Sequence, residues 1–326
     1  MQKENIFSNP FLIKYKWAVI VCAKILIAVL LLRYIINQIN LQDILIAFSR
    51  ADILFLSLAV FLSLFNVYLQ YWKWEVICKN ILGESSKKKI WISLFYGLSA
   101  GSFTPARVGE YFGRAILFKD KPFLLVTVAT LIDKFYFLVV ISFTGALASI
   151  LFIHYYYHVT IFITAALFIF VFVLSYFIVY LLLNPGVWKD TIFEKFYSSE
   201  KIRSLTEKLA AIKNMDKKIS FKLMFISLLF YFCVTFQYIL LAAAFSHQLN
   251  FVTYIWAGIL VFFAKTIIPP VAIADLGIRE GASVFFIKMM GESASVGFNA
   301  AFFLFLINVL MPAAAGVILL LKKNDV

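Results

Sequence analysis

Charged side chains are scarce in this sequence of 326 residues. Only 14% of the residues are charged, whereas an average soluble domain has about a quarter. The longest polar stretch, residues 184–222, is too short to bury a hydrophobic core of its own. The low charge therefore excludes a soluble catalytic domain within these residues. The 63% of hydrophobic residues and the mean hydropathy of +0.93 instead predict several membrane spans.

Cysteine and histidine are also few. Cys22, Cys78 and Cys233 fall in or beside apolar runs and lack the spacing of a metal site. We interpret them as buried, reduced thiols, and we expect neither a metal ion nor a cofactor. The three histidines are expected at the outer membrane interface: His154, His158 and His247.

The hydrophobic residues form long runs, which a window of about 19 residues separates into full and interrupted segments. The full spans are residues 17–36, 52–71, 122–153, 159–183, 221–245 and 295–321. The interrupted segments are residues 90–120 and 252–290. The first run lacks a small-residue cleavage site, so we expect a retained helix and no signal peptide. The sequence thus predicts a single all-α membrane domain over residues 1–326.

The formal net charge of +13 lies mainly on one side of the predicted topology. With a cytoplasmic N-terminus, and with each interrupted segment returning to its own side, nineteen Lys and Arg residues lie in cytoplasmic segments. The outer connections contain Arg50 alone. The positive-inside rule therefore predicts that both termini are cytoplasmic. The charge marks a membrane face and gives no reason to expect a nucleic-acid partner.

The same topology relates two parts of the chain by inversion. Residues 52–153 contain a span, an interrupted segment and a second span, and residues 221–321 repeat this order from the opposite side. Inverted repeats with broken helices at corresponding positions are typical of transporters, whose substrate sites lie near the bilayer midplane. We therefore expect two re-entrant helical hairpins that meet inside the membrane.

The first interrupted segment has a proline at its centre. Thr104 is a suitable N-cap and Pro105 a suitable first helical residue, so a helix is expected to begin here and to continue through Arg114. The candidate binding residues of this segment, with Pro105 as a hinge, are Thr104, Arg107, Gly109, Glu110 and Arg114.

The second interrupted segment is broken by two adjacent prolines. Pro270 removes a backbone donor, and such a break survives in a membrane only where it is buried in protein or lines a cavity. Asp275 is expected to cap a helix that ends near Gly291. The candidate binding residues, with Pro269 and Pro270 as hinges, are Asp275, Gly277, Arg279 and Glu280.

Both predicted tips favour an anion. Helices that begin inside the membrane present free backbone N–H groups and the positive end of the helix dipole, which together attract phosphate. Arg107 and Arg279 add forked donors suited to phosphate oxygens. Asp133, in the span that follows the first hairpin, is expected to belong to the same site, and Lys265 is placed to reach the second tip.

A purely structural role is the alternative for these charges. Glu110 and Arg114 lie four residues apart on one helix face and are placed to neutralise each other. Arg279 with Glu110, and Arg107 with Glu280, are alternative pairs between the two halves. A charge in a membrane is costly, so each of these residues requires a partner or a function.

Uncharged polar residues within the spans support two interpretations. Asn66, Gln237 and Asn308 are expected either to line a cavity or to form hydrogen bonds between helices. The second interpretation is favoured.

Two motifs resemble a known family, the flippase-like transmembrane domain found in lysylphosphatidylglycerol synthetases and in many stand-alone prokaryotic membrane proteins. The first motif, a proline followed by Gly-Glu and then arginine, matches Pro105, Gly109, Glu110 and Arg114. The second, a proline followed by Gly-x-Arg-Glu-Gly, matches Pro270, Gly277, Arg279, Glu280 and Gly281. The pairs Asp133-Lys134 and Lys73-Trp74 also match. Asp275 departs from the pattern, because the family tends to have glycine there.

The resemblance covers about residues 17–322 and implies a location in the prokaryotic cytoplasmic membrane. It also implies translocation of a lipid between leaflets. These residues contain no synthetase domain, so lysyl transfer is not expected. The expected partner is a membrane phospholipid or a polyprenyl-linked lipid with an anionic head group. A homo-oligomer is left open.

Two other functions remain as alternatives. A membrane glycosyltransferase or phosphotransferase would act on a lipid-linked substrate, but such an enzyme needs a carboxylate base and often a divalent metal. No loop carries a paired-carboxylate motif, and only Asp133 or Glu110 is placed to serve. A secondary transporter of a small solute would use the same inverted architecture.

Overall fold

The structure is a computed structural model that describes residues 42, 46, 48–104, 107–186, 215–268 and 277–321. The described residues form helices and no strand. In chain order the helices are α1 (Ile53–Ile77), α2 (Lys87–Ser102), α3 (Gly109–Ala115), α4 (Phe123–Tyr157), α5 (Ile161–Leu183), α6 (Lys217–Ser246), α7 (Phe251–Ile267), α8 (Ile278–Met289), α9 (Ala294–Phe305) and α10 (Met311–Leu321). A π-helical turn at Cys78–Leu82 extends α1, and another at Leu306–Leu310 joins α9 to α10.

Five helical stretches of the described chain are long and apolar enough to cross a membrane. They are Ile53–Leu82, Phe123–Tyr157, Ile161–Leu183, Lys217–Ser246 and Ala294–Leu321. Each corresponds to one of the spans predicted from hydropathy. The largest difference is at the end of the first, where the α-helix continues to Ile77 and the π turn to Leu82, beyond the predicted residue 71. The predicted span at residues 17–36 lies outside the described residues.

Capping residues set the ends of the long helices. The Asp52 Oδ1 atom accepts a hydrogen bond from the Leu54 backbone N–H at 2.8 Å and so caps α1. Asp216 caps α6 in the same way, through the Ile219 N–H at 2.7 Å. His158 and His247 end α4 and α6 in the left-handed region, with φ values of 52° and 57°.

The first interrupted segment forms two helices that pack against each other in antiparallel directions. A Cβ atom on Gly109 would collide with the Ala100 carbonyl oxygen, and one on Gly113 would collide with that of Tyr96. Later residues of α3 therefore contact earlier residues of α2, as in an antiparallel pair. Glycine at these two positions lets the backbones of α2 and α3 touch.

The second interrupted segment has the same form. The Tyr254 hydroxyl, near the start of α7, donates to Glu292 Oε1 at 3.3 Å, just beyond the end of α8. The start of α7 thus lies beside the end of α8, and the two helices are antiparallel. Helix α8 ends at Met289 and Gly291 follows with a φ of 88°, which confirms the end predicted near Gly291.

None of these four helices is long enough to cross a membrane alone. They contain 16, 7, 17 and 12 residues, and at about 1.5 Å per residue each is shorter than the ~30 Å hydrocarbon core. The interruptions predicted from the prolines are therefore real breaks in the helices.

Residues 52–153 and residues 221–321, which we call the two halves, pack reciprocally. Helices α1 and α6 form the most extensive pair, while α10 packs on α2 and α4 packs on α7. Gly316 of α10 lies against the Phe95 carbonyl, and Gly145 of α4 lies against the Phe263 ring. The last span of each half therefore covers the first short helix of the other half.

Candidate substrate-binding site

A cavity of about 1060 Å³ lies between the two halves. Its charged lining residues are Lys73, Arg107, Glu110, Arg114, Asp133, Lys134, Lys265 and Arg279. The fold therefore brings together five of the residues predicted from the sequence, namely Arg107, Glu110, Arg114, Asp133 and Arg279. The cavity is not lined by Thr104, Gly109, Gly277 or Glu280. Pro105, Pro269, Pro270 and Asp275 lie outside the described residues.

Glu110 is the centre of the charge cluster. Its Oε1 atom accepts from Arg114 Nη2 at 2.7 Å, and its Oε2 atom accepts from Lys134 Nζ at 2.6 Å. Arg107 Nε lies 3.7 Å from Oε2. The pairing of Glu110 with Arg114, which the sequence offered as a structural alternative, is present, and two further cations share the same carboxylate.

Asp133 extends the cluster across three helices. Its Oδ2 atom lies 2.9 Å from Arg114 Nη1 and its Oδ1 atom 3.2 Å from Lys73 Nζ. Lys73 belongs to α1, Arg114 to α3 and Asp133 to α4, so this chain of ion pairs ties the three helices together. Asp133 therefore lies beside the first interrupted segment, as the sequence predicted.

Aromatic rings surround the inner cations. The Arg114 guanidinium stacks 4.3 Å from the Trp74 ring, and the Trp74 indole N–H donates to Ser93 Oγ at 2.8 Å. Lys73 Nζ lies 5.6 Å from the Phe137 ring and 5.7 Å from the Phe230 ring. Such rings stabilise a cation that has lost its water.

The cluster has a buried end and a more exposed end, and both line the cavity. The side chains of Lys73, Arg114, Glu110 and Asp133 are at most 7% exposed. Those of Arg107 and Lys134 are 26% and 33% exposed. Four cations and two carboxylates form these ion pairs, so the cluster carries a surplus of two positive charges. An anion in the cavity would meet Arg107 and Lys134 first.

Thr104 links the end of α2 to the start of α3 and does not line the cavity. Its hydroxyl accepts from the Gly109 backbone N–H at 2.7 Å and donates to the Ala100 carbonyl at 3.0 Å. The sequence predicted Thr104 as the N-cap, but helix α3 begins at Gly109 and its N-cap position is Val108. The prediction was wrong by four residues because a tight turn that includes Arg107, with a φ of 55°, precedes the helix.

The start of α8 is capped by a carboxylate of the same helix. Glu280 Oε2 accepts from the Gly277 backbone N–H at 2.7 Å, and Gly277 has a φ of 95°, which favours glycine. Glu280 is 1% exposed. This carboxylate occupies part of the helix N-terminus where the sequence predicted an external anion. The Arg279 guanidinium lines the cavity 5.8 Å from the Phe305 ring.

Three carboxamides join the halves beside the charged cluster. Asn66 Nδ2 donates to Gln237 Oε1 and to Asn308 Oδ1, each at 3.0 Å, and Asn308 Nδ2 donates to Gln237 Oε1 at 3.0 Å. The predicted interhelical hydrogen bonds are confirmed, and Asn66 and Asn308 also line the cavity. Asn308 lies in the π-helical turn, a feature frequent at functional sites.

Comparison with protein families matches residues 21–316 to the lysylphosphatidylglycerol synthase TM region. The chain belongs to this family. The family resemblance predicted from the two proline motifs is thereby confirmed. No curated protein matches the chain.

Sequence reasoning did not predict the ion pair between Lys73 and Asp133 in this lysylphosphatidylglycerol synthase TM region. One signal was present, because Asn66, Gln70 and Lys73 follow helical spacing on α1, and all three line the cavity. Tyr111 was also missed. Its ring lies 5.5 Å from Lys134 Nζ.

Proposed function

We propose that this protein is a translocase that moves an anionic phospholipid, or another lipid-linked anionic head group, between the leaflets of the prokaryotic cytoplasmic membrane. The observation that carries the proposal is the charge of the cavity. Six cations and two carboxylates line it, and most of its other lining residues are apolar. Such a lining suits an anionic head group attached to a hydrophobic tail.

The proposed topology consists of six spans, including residues 17–36, and two re-entrant hairpins formed by α2–α3 and α7–α8. The antiparallel packing within each helix pair and the reciprocal contacts of α4 and α10 support two inverted repeats. In this arrangement each hairpin enters from its own side of the membrane and both termini are cytoplasmic. Inverted repeats of this kind permit access to one site from alternate sides.

Arg107 and Lys134 are proposed to bind the phosphate. Their side chains are the more exposed members of the cluster, and both contact Glu110 Oε2. Glu110 is then an internal anion that holds these cations when no lipid is present, and the lipid phosphate exchanges with it. Arg279 of the second hairpin is proposed to receive the phosphate as the lipid moves across, since it lines the same cavity.

The geometry favours translocation over the two alternatives. A transferase needs a carboxylate that is free to accept a proton, whereas Glu110 and Asp133 are each held by cations at 2.6–3.2 Å. The cavity also borders exposed apolar side chains such as Phe135 and Leu138, which suits the tail of a lipid better than a small polar solute. We therefore propose that the protein has no enzymatic activity of its own.

Movement of fluorescent phosphatidylglycerol in reconstituted vesicles tests the proposal. Vesicles with the protein are expected to expose inner-leaflet probe to an impermeant quencher faster than empty vesicles. Arg107→Ala or Lys134→Ala is expected to slow this exposure about tenfold, because each removes a charge-assisted hydrogen bond to phosphate. Lys121→Ala is the matched control, since Lys121 pairs with Asp120 at 3.4 Å outside the cavity.

Arg279→Ala tests whether the second helix pair, α7–α8, takes part in lipid movement. Slower lipid movement with unchanged binding of phosphatidylglycerol is expected, because the first phosphate contacts lie on Arg107 and Lys134. Equal rates for protein-containing and empty vesicles would contradict the translocase, and an unchanged rate in Arg279→Ala would remove the role of that residue.

A further inference from the structure

Helix α4 borders the cavity on more than one side. All eight residues from 131 to 138 line the void. Asp133 and Tyr136 are buried, whereas Leu131, Phe135 and Leu138 are 48%, 46% and 40% exposed. Eight residues make about two turns, so a void that borders all of them extends around α4 from the charged interior to its outer face.

Helix α5 forms the opposite wall of this extension. Phe143 of α4 packs on Phe172 of α5 with ring centroids 5.5 Å apart. His154 and Thr164 are hydrogen bonded at 3.0 Å, so the helices are antiparallel and in contact at this end. Continuing the same register places residues 131–138 opposite the last turns of α5, whose Ile178, Leu181 and Leu182 line the void. Within α5, all of which the structure describes, only Thr164 is buried.

Together these residues define an apolar cleft, which we call the α4–α5 cleft. Its walls are Leu131, Phe135, Leu138, Ile178, Leu181 and Leu182. Lys134 lies between the apolar α4 residues, and its ammonium group contacts Glu110 Oε2 at 2.6 Å. The cleft is therefore apolar along its walls and cationic at its inner end, which matches an amphiphile with an anionic head.

We propose that the α4–α5 cleft is the binding site for the acyl chains of an anionic glycerolipid whose phosphate is held by Arg107 and Lys134. This inference rests on the proposed function and adds the position of the lipid tail. The charged inner end favours this occupant over zwitterionic bilayer lipid. Both lipids carry a phosphate, but the ammonium group of a zwitterionic head is repelled by the surplus positive charge of the cluster. The tail stays on the lipid-facing side of α4 while the head reaches the ion cluster.

Photolabelling in vesicles tests the site without requiring translocation. The probe is phosphatidylglycerol with a diazirine on one acyl chain, added in trace amounts to vesicles that contain the full chain, and the adducts are mapped by mass spectrometry. Adducts are expected on residues 131–138 and 178–182. Phosphatidylcholine with the same acyl chain is expected to label these residues about tenfold less, since its choline cation offsets the phosphate charge and is repelled by the two cations.

A matched pair of variants separates specific from general lipid contact. Lys134→Met is expected to lower the phosphatidylglycerol adducts in the cleft about tenfold, through loss of one charge-assisted hydrogen bond. Lys121→Met is expected to leave them unchanged. The two lysines have similarly exposed side chains, at 33% and 30%, and each pairs with a carboxylate. A second variant, Leu138→Trp, fills the cleft while keeping every charge and is expected to reduce adducts on residues 178–182.

The outcomes distinguish this inference from the proposed function. Equal labelling by the two probes, unchanged labelling in both Lys134→Met and Leu138→Trp, or adducts confined to other helices would overturn the cleft as a tail site. Selective labelling in vesicles that show no lipid movement would support the cleft and contradict the translocase. Lipid movement without selective labelling would leave the translocase standing and remove the cleft.

Discussion

At the scale of single residues, the cluster shows how buried charges are stabilised by one another. Arg114 stands between Glu110 and Asp133, and Asp133 stands between Arg114 and Lys73. Arg114 and Asp133 thus each have two neighbours of opposite sign. An isolated charge is costly inside the protein because it loses its water. Each buried charge of the cluster therefore requires its partners.

Asp133→Ala is expected to destabilise the protein strongly. The substitution leaves Arg114 and Lys73 buried without the carboxylate that both contact, a loss of about 3–5 kcal/mol for a broken buried ion pair. Lys134→Met is expected to cost less, because its side chain is 33% exposed. Thermal unfolding in detergent measures both variants. A smaller effect for Asp133→Ala than for Lys134→Met would contradict this account of the cluster.

At the scale of helices, close backbone contact defines the α2–α3 pair. Helix α3 has seven residues and is too short to be stable alone. It is held by contact with α2, by the Thr104 hydroxyl and by the ion pairs of Glu110 and Arg114. Changes that separate α2 from α3 should therefore affect the whole site.

Gly113→Ala is expected to push these two helices apart. The added Cβ would collide with the Tyr96 carbonyl oxygen, and Arg114 is the next residue along α3. A cost of about 1–3 kcal/mol is expected for such overpacking, together with weaker binding of anionic lipid. Gly186→Ala is the control, because a Cβ there meets open space. Equal melting temperatures for the two variants would argue against a tight α2–α3 contact.

The start of α2 is predicted to respond to pH. Lys89 Nζ contacts Glu84 at 2.7 Å and Asp120 at 3.4 Å, which links the two ends of the α2–α3 pair. The hydrogen bond from Lys89 lowers the pKa of Glu84 from its usual 4.5. The stability from this pair is therefore present above the usual pKa and is lost as the pH falls through the lowered value.

Glu84→Gln should reproduce that loss at neutral pH. An effect of at most about 1 kcal/mol is expected, since the pair lies near the surface. Comparing the melting temperatures of wild type and variant from pH 7 down to pH 3 measures the effect, and the difference between them should shrink at the acid end. A difference that grows on acidification would show the opposite sign of linkage.

At the scale of the whole molecule, residues from both halves line the charged cavity. The Asn66–Gln237–Asn308 hydrogen bonds and the α1–α6 contact join the halves close to the charge cluster. Hydrogen bonds of this kind in membranes are worth about 0.6 kcal/mol on average. These hydrogen bonds are modest individually, so the packing of α1 on α6 is the larger contact between the halves.

Labelling of single cysteines tests the inverted topology. Exposed positions flanking the first helix pair, Ser85 and Lys119, should react with an impermeant maleimide from the same side as each other. Positions flanking the second pair, Gln248 and Ser293, should react from the opposite side. The variants are made in a background without the native cysteines. Ser85 and Lys119 on different sides would show that α2–α3 crosses the membrane.

The sequence by itself determined the class of protein, the approximate positions of the five described spans and the family. Long apolar runs leave few alternatives to membrane helices, because backbone polar groups in lipid must be paired within the segment. Pro105 and the Pro269-Pro270 pair indicated the breaks for the same reason, and the two motifs identified the family. These properties depend on residues that are close together in the chain.

Only the tertiary structure decided which charges meet. Glu110 and Arg114 are close in sequence, but Lys73, Asp133 and Lys134 come to them from two other helices. It also showed that Glu280 caps its own helix and that the cavity extends around α4. Ion pairs between helices depend on how the helices are rotated and packed, and helical spacing within one segment does not specify that rotation.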